Sequence, residues 1–219
     1  MFALDLEYDR NRYQPKFSFD GGDRASMRLD MDKDQGFSGN NNHENDLTLR
    51  LTDKVPLELE VTTGVSDSRL EMTVLQVQRM HLVGGVGKTE ISFDKPSLVA
   101  LESFEAESGV GELIIHGLGN ARVGRVDLKG GVGHAELDLT GELGETRTDV
   151  SLKVGVGEIK ISIPRDADVD IEAEGSFLSN ISAPGFDRNG RNYTHHGGGG
   201  AKIHINVKSG VGGVEVELI

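Results

Sequence analysis

Cysteine is absent from the 219 residues, which excludes a disulfide framework, a thiolate metal site and a thiol nucleophile. Tryptophan is absent too, and proline occurs only five times. Nowhere do about 18 apolar residues follow one another, and the amino terminus "MFALDLEYDR" lacks a basic region leading into an apolar run. The sequence therefore reads as soluble as given, with any signal peptide or membrane anchor expected in a longer natural precursor. Basic residues are the scarcer charge: 23 Lys and Arg against 36 Asp and Glu leave a net charge of −13. That balance opposes nonspecific binding to nucleic acid or to anionic lipid, so neither is expected as the main partner.

The catalytic inventory is equally thin. "GVSDS" ends in Ser68, so no nucleophile elbow starts a serine-hydrolase triad. No carboxylate pair stands out for glycoside hydrolysis, and a polysaccharide-acting β-helix enzyme needs long loops of clustered acids and bases that are missing here. No enzyme activity and no cofactor are expected.

Glycine is abundant instead, at 30 residues or about twice the usual share. Much of it falls in one recurring motif, seen in "LVGGVGKTEISF", "ESGVGELIIHG", "LKGGVGHAELDL", "LKVGVGEIKISIP" and "VKSGVGGVEVEL". The first glycines are Gly64, Gly85, Gly109, Gly131 and Gly155, spaced 21, 24, 22 and 24 residues apart, with a further copy at Gly210. Val65, Val86, Val110, Val132, Val156 and Val211 follow them, and second glycines stand at Gly87, Gly111, Gly133, Gly157 and Gly212.

Other columns are apolar. Five residues before the first glycine come Leu59, Met80, Phe104, Val126, Val150 and Ile205; three before it, Val61, Leu82, Ala106, Leu128, Leu152 and Val207. Six after it come Leu70, Ile91, Ile115, Leu137, Ile161 and Val216; eight after it, Met72, Phe93, Leu139, Ile163 and Leu218, with Gly117 the departure. Spacings of two are the period of a strand with one face buried. Each copy thus reads as strand, Gly-Val-Gly corner and strand, and about 22 residues per coil give an all-β parallel solenoid. The glycines are structural corners, because stacked corners leave no room for side chains, and the valine between them is expected to point into the core. A phosphate-cradling loop is excluded: no Lys-Ser/Thr follows, and strands rather than helices come after the turns.

Residues 1–54 are more polar and less regular and are expected to cap one end of the solenoid, with residues 55–219 forming the repeats. The copy near Gly175 is out of register, and 35 residues separate it from Gly210. The surplus, "APGFDRNGRNYTHHGGGG", reads as a loop insertion at about 184–200.

Two segments resemble known families. "DLTLRLTDKVPLELEVTTGVSDSRLEMTVLQVQRMHLVGGVGKTEISF" is similar to the carboxy-terminal domain of LiaF-type cell-wall-active-antibiotic response proteins. "VGVGEIKISIPRDADVDIEAEGSF" resembles the adhesin-type domain of bacterial envelope proteins known as the toastrack domain. The resemblance implies a right-handed single-stranded β-helix, a place in the bacterial envelope or its stress response, and fusion or co-encoding with membrane segments. It carries no catalytic residues.

Several clusters are candidate sites. Asp30, Asp32 and Asp34 have the spacing that opens a calcium loop, but the glycine comes one position late and the twelfth position is Asn41. Asp166, Asp168, Asp170, Glu172 and Glu174 alternate with apolar residues, as a row that could bind a cation or as a solvated strand face. His195 and His196 in the insertion and His204 after it suggest zinc, without cysteine or a rigid scaffold to support them. Lys88, Glu112, His134 and Glu158, three residues after each first glycine, are expected on one exterior line of consecutive coils. Tyr193, His195 and His196 mark the insertion as a candidate interaction loop. The functional expectation is a non-catalytic, envelope-associated solenoid presenting a surface to an envelope or membrane-bound protein, or to a second copy of itself. Self-assembly through stacked ends is the alternative, with the terminal "VEVELI" as the apolar end strand.

Overall fold

A computed structural model describes residues 2–8, 13–21, 25–33, 45–145, 147–175 and 179–219 of the chain. It divides into two compact units, Met1–Thr52 and Asp53–Ile219.

The first unit holds β1 (Phe2–Glu7), β2 (Tyr13–Asp20), β3 (Ser26–Lys33) and β4 (Asp46–Leu51). β1 pairs antiparallel with β4, and β2 with β3. Phe2, Leu4 and Leu6 alternate with the exposed Ala3, Asp5 and Glu7, so one face of β1 is apolar. The Phe2 ring meets those of Phe17 and Phe19 at 5.5 and 5.6 Å between centroids, which joins the two pairs.

The second unit begins with β5 (Pro56–Val65), β6 (Ser68–Glu71), β7 (Gln76–Ser92), β8 (Ser103–His116), β9 (Arg125–Asp138) and β10 (Arg147–Ile163). It continues with β11 (Asp168–Gly175), β12 (Ser179–Ser182), β13 (Asp187–Asn189), β14 (Asn192–His195) and β15 (Lys202–Leu218). Apart from a 3₁₀ turn at Leu118–Ala121, the described elements are strands, and the protein is all-β. The long strands stack in parallel, and each runs straight through its Gly-Val-Gly corner.

The apolar columns become files of register partners. Met80, Phe104, Val126, Val150 and Ile205 lie side by side, as do Leu82, Ala106, Leu128, Leu152 and Val207, and all are buried. Beyond the corner, Ile91, Ile115, Leu137, Ile161 and Val216 form another buried file. A further inward file stands four residues after the first glycine: Thr89, Leu113, Ala135, Ile159 and Val214. Asn120 ties the return segments together. Its side-chain amide donates to the Phe93 carbonyl at 2.7 Å, and its Oδ1 accepts the Glu142 N–H at 3.1 Å, so one side chain links three levels.

The order of stacking differs from the order of the chain. β10 is flanked by β9 and β15, and β11 and β12 pair with the far side of β15. The terminal strand is therefore interior, and "VEVELI" is not an open end; Val214 and Val216 are buried. The corner chemistry explains the choice. Gly210-Val211-Gly212 offers β10 another corner whose two glycines allow close backbone stacking, and a Cβ at Gly210 would stand 2.4 Å from the Gly155 carbonyl oxygen. β11 is followed by Ser176-Phe177-Leu178, which lacks the glycines. β14 then pairs antiparallel with β11, and β13 with β14, covering that edge with a hairpin.

The valines also depart from expectation: they point out of the core. Val65 is 86% exposed, and Val86, Val110, Val132, Val156 and Val211 are 43% to 49% exposed. The inward files three before and four after the first glycine are seven residues apart, an odd interval that strict alternation cannot bridge. The corner absorbs the mismatch by turning four successive residues outward, and the valine is one of them.

A small void marks the weakest inward level. A cavity of about 20 Å³ is lined by Leu113, Ala135, Leu137, Leu152 and Ile159, where β9 carries Ala135 between Leu113 and Ile159. Ala135→Val should fill it, stabilise by about 1 kcal/mol and raise the melting temperature by roughly 2–4 °C in a thermal scan.

Candidate functional site

The outward valines are successive register partners from Val65 to Val86, Val110, Val132, Val156 and Val211. At about 4.8 Å per level they form a ridge about 24 Å long. Glycines border it on both sides. Those of the second column hold φ between 130° and 145°, and a Cβ at Gly157 would lie 1.7 Å from the Gly133 carbonyl oxygen. From the level of Val86 onward neither furrow can therefore carry side chains, and those valines stand between two strips of bare backbone; at the edge level Gly64 has open space beside it and Ser66 takes the place of the second glycine. Threonine would serve strand geometry equally well at a wet position. Valine at all six levels leaves a contiguous apolar patch on the order of a few hundred Å², the size that marks interaction sites on monomers.

Charged files flank the furrows. On the far side Lys88, Glu112, His134 and Glu158 are successive partners, in the exterior line the sequence suggested. On the near side run Glu107, Lys129, Lys153, Lys208 and Glu174. Lys129 Nζ lies 2.5 Å from Glu107 Oε1. This hydrogen bond and the attached charge hold the Glu107 carboxyl below the usual range and raise the Lys129 ammonium above its own. A depressed carboxylate pKa adds stability that is present above the unfolded value of about 4.3 and is lost as pH falls through the folded one. Both groups face solvent, so the contribution is small. A carbon-detected NMR titration should find the Glu107 midpoint below that of an ordinary glutamate, and Lys129→Gln should return it upward.

The residues singled out in the sequence lie elsewhere. Tyr193 and His195 belong to β14, where both rings make contacts within the hairpin and to its neighbours. Tyr193 is buried opposite Ile171, with the Arg188 guanidinium 5.4 Å from its ring centroid. His195 Nε2 lies 2.9 Å from the Arg165 carbonyl oxygen, Nδ1 lies 3.3 Å from that of Gly185, and the ring packs on Phe186. His196 is exposed, and His204 sits on β15 between Asp149 and Asp170.

The acidic row does alternate with buried Val169, Ile171 and Ala173. Two of its carboxylates have polar partners, Asp168 in the Gly198 N–H and Glu174 in the Lys208 ammonium at 3.7 Å. Asp168 Oδ1 accepts the Gly198 N–H at 3.2 Å and aligns with Lys202, Asp170 aligns with His204, and the Asp166 carbonyl accepts the Gly199 N–H at 2.7 Å. Asp30 pairs with Arg28 at 2.6 Å, while Asp34 and Asn41 fall outside the described residues. Among the described residues no three His, Asp or Glu side chains converge to hold a metal ion. Among them also, no helix is long and apolar enough to cross a membrane.

Comparison with known proteins adds a family. A family model described as the N-terminal domain of toast_rack, DUF2154, matches residues 1–116, more than half of the chain. No curated protein matches. A solved structure from Clostridium sporogenes ATCC 15579, of a protein whose assignment to cell adhesion is provisional, is 17% identical with a TM-score of 0.48. The alignment covers 100% of this chain and 83% of that one.

Proposed function

The chain belongs to the toast_rack family, and from that premise we propose that it is a non-catalytic module of the bacterial envelope that docks another protein on its valine ridge. In this reading the second unit winds as a right-handed single-stranded β-helix of about 22 residues per coil, the hand that parallel crossovers take in nearly all sheets. A role in envelope-stress sensing fits the same surface. The observation that carries the proposal is the unbroken file of six exposed valines.

The partner is a protein with an apolar stripe edged by basic side chains. Those would meet Glu112 and Glu158 across the second furrow, and the net charge of −13 favours their approach. A rigid corner has no ordering entropy to lose on binding, which suits a docking face.

In-cell photocrosslinking from a reactive side chain at Val132, with the adducts identified by mass spectrometry, tests this. Adducts to an envelope protein at Val132 but not at the remote exposed Leu98 support it. Adducts only to other copies of this chain replace it with self-assembly, and no adducts at Val132 overturn it.

A further inference from the structure

The near-side file carries an unusual arrangement of charge. Glu107, Lys129, Lys153, Lys208 and Glu174 follow one another across five levels, so three lysines stand directly side by side. Like charges opposite one another destabilise a sheet. The outer two are answered, Lys129 by Glu107 at 2.5 Å and Lys208 by Glu174 at 3.7 Å. Lys153 has no ion pair among the described residues and sits between two other ammonium groups, in a chain with 13 more acids than bases. A carboxylate at this position would give a row of alternating sign, so the lysine is a local cost that packing does not explain.

Beside this row lies an open groove of about 720 Å³. Lys129, Lys153, Lys208 and Arg191 line it, with Glu172 and Glu174 along one edge, four cations against two carboxylates. Its volume is that of a small-molecule site. Gly130, Gly155 and Gly210 also line it, which lets a ligand approach the backbone.

We propose that this groove binds a short oligo-anion, two or three phosphate or carboxylate groups in file about 5 Å apart, with Lys153 as its central contact. Lysines act as compact point charges, and three of them at strand spacing match charge repeat and not the planar fork of a single carboxylate. The ligand supplies the negative charge that the row lacks. This site is distinct from the valine ridge and stands or falls without it.

The test titrates the full chain at low salt with tripolyphosphate, tricarballylate and orthophosphate, followed by calorimetry and amide NMR. Expected are saturable shifts confined to the amides around residues 129, 153 and 208, with orthophosphate at least about tenfold weaker and affinity falling steeply with salt. Lys153→Gln should weaken binding at least about tenfold, whereas Lys160→Gln, on the other side of the corner, should not. Lys153→Glu should abolish binding and yet raise the melting temperature, because the row then alternates in sign. Binding of tripolyphosphate but not tricarballylate assigns a phosphate ligand, the reverse assigns a carboxylate ligand, and equal binding assigns charge spacing alone. Absence of saturable binding by either, affinity untouched by Lys153→Gln, or a lower melting temperature in Lys153→Glu overturns the proposal.

Discussion

Gly157→Val should unfold the second unit or cost more than about 4 kcal/mol, a large share of the total stability of a domain. The cause is twofold. Gly157 holds φ 145°, which side chains with a Cβ rarely adopt, and the new atom would stand 1.7 Å from the Gly133 carbonyl oxygen. Backbone cannot retreat there, because Gly133 is itself locked against Gly111 in the same way. Gly64→Ala and Gly213→Ala make the contrast, since a Cβ at either meets nothing within 4 Å. Those two should stay within about 0.5 kcal/mol of the parent in urea unfolding. Equal loss at all three positions would mean that the glycines act through chain flexibility and not through close stacking.

The second large effect falls on binding and spares the fold. Val110→Glu, Val132→Lys and Val156→Glu combined remove the apolar centre of the ridge while placing opposite charges on adjacent levels. All three side chains are about half exposed, so the melting temperature should move by only a few degrees. Affinity for the protein crosslinked at Val132 should drop at least about 30-fold, about 2 kcal/mol, as expected when a central contact is lost. Leu98→Lys, more exposed still but off the ridge, should leave affinity unchanged. A triple variant that binds normally would remove the ridge from the account.

The columns that give the fold were legible because burial on a strand leaves a period of two, and a stack repeats it at every level. Met80, Phe104, Val126 and Val150 stand in the file their spacing implied. The valines were misplaced because alternation was carried through the corner. Apolar columns three before and six after the first glycine are nine residues apart, and that odd interval already signals a break in phase. The signal was present in the sequence, but it says only that a slip occurs, not which residues turn outward.

Spatial order was harder to read. Nothing in a periodic pattern says that β15 enters between β10 and β11; only the missing glycines after Gly175 hint at it. The insertion around Tyr193 looked like a free loop because its sequence is rich in glycine and polar residues. Its one large buried ring and the pairing of β14 with β11 made it an edge cover. The lysine row escaped notice for a related reason, since Lys208 joins Lys129 and Lys153 only once β15 is placed beside β10.

The unbroken ridge rests on that same placement, and a cysteine pair at Val156 and Val211 tests it most directly in a chain with no cysteine of its own. With β15 beside β10 the two positions are register partners about 4.8 Å apart, within disulfide reach. Mild oxidation of the double variant should then close an intramolecular bond, seen as loss of free thiol and a mobility shift on a non-reducing gel. If β11 lay between them, the separation would be about 9.6 Å and beyond reach. Two free thiols persisting in the folded, oxidised protein would contradict the stacking order and with it the continuous ridge.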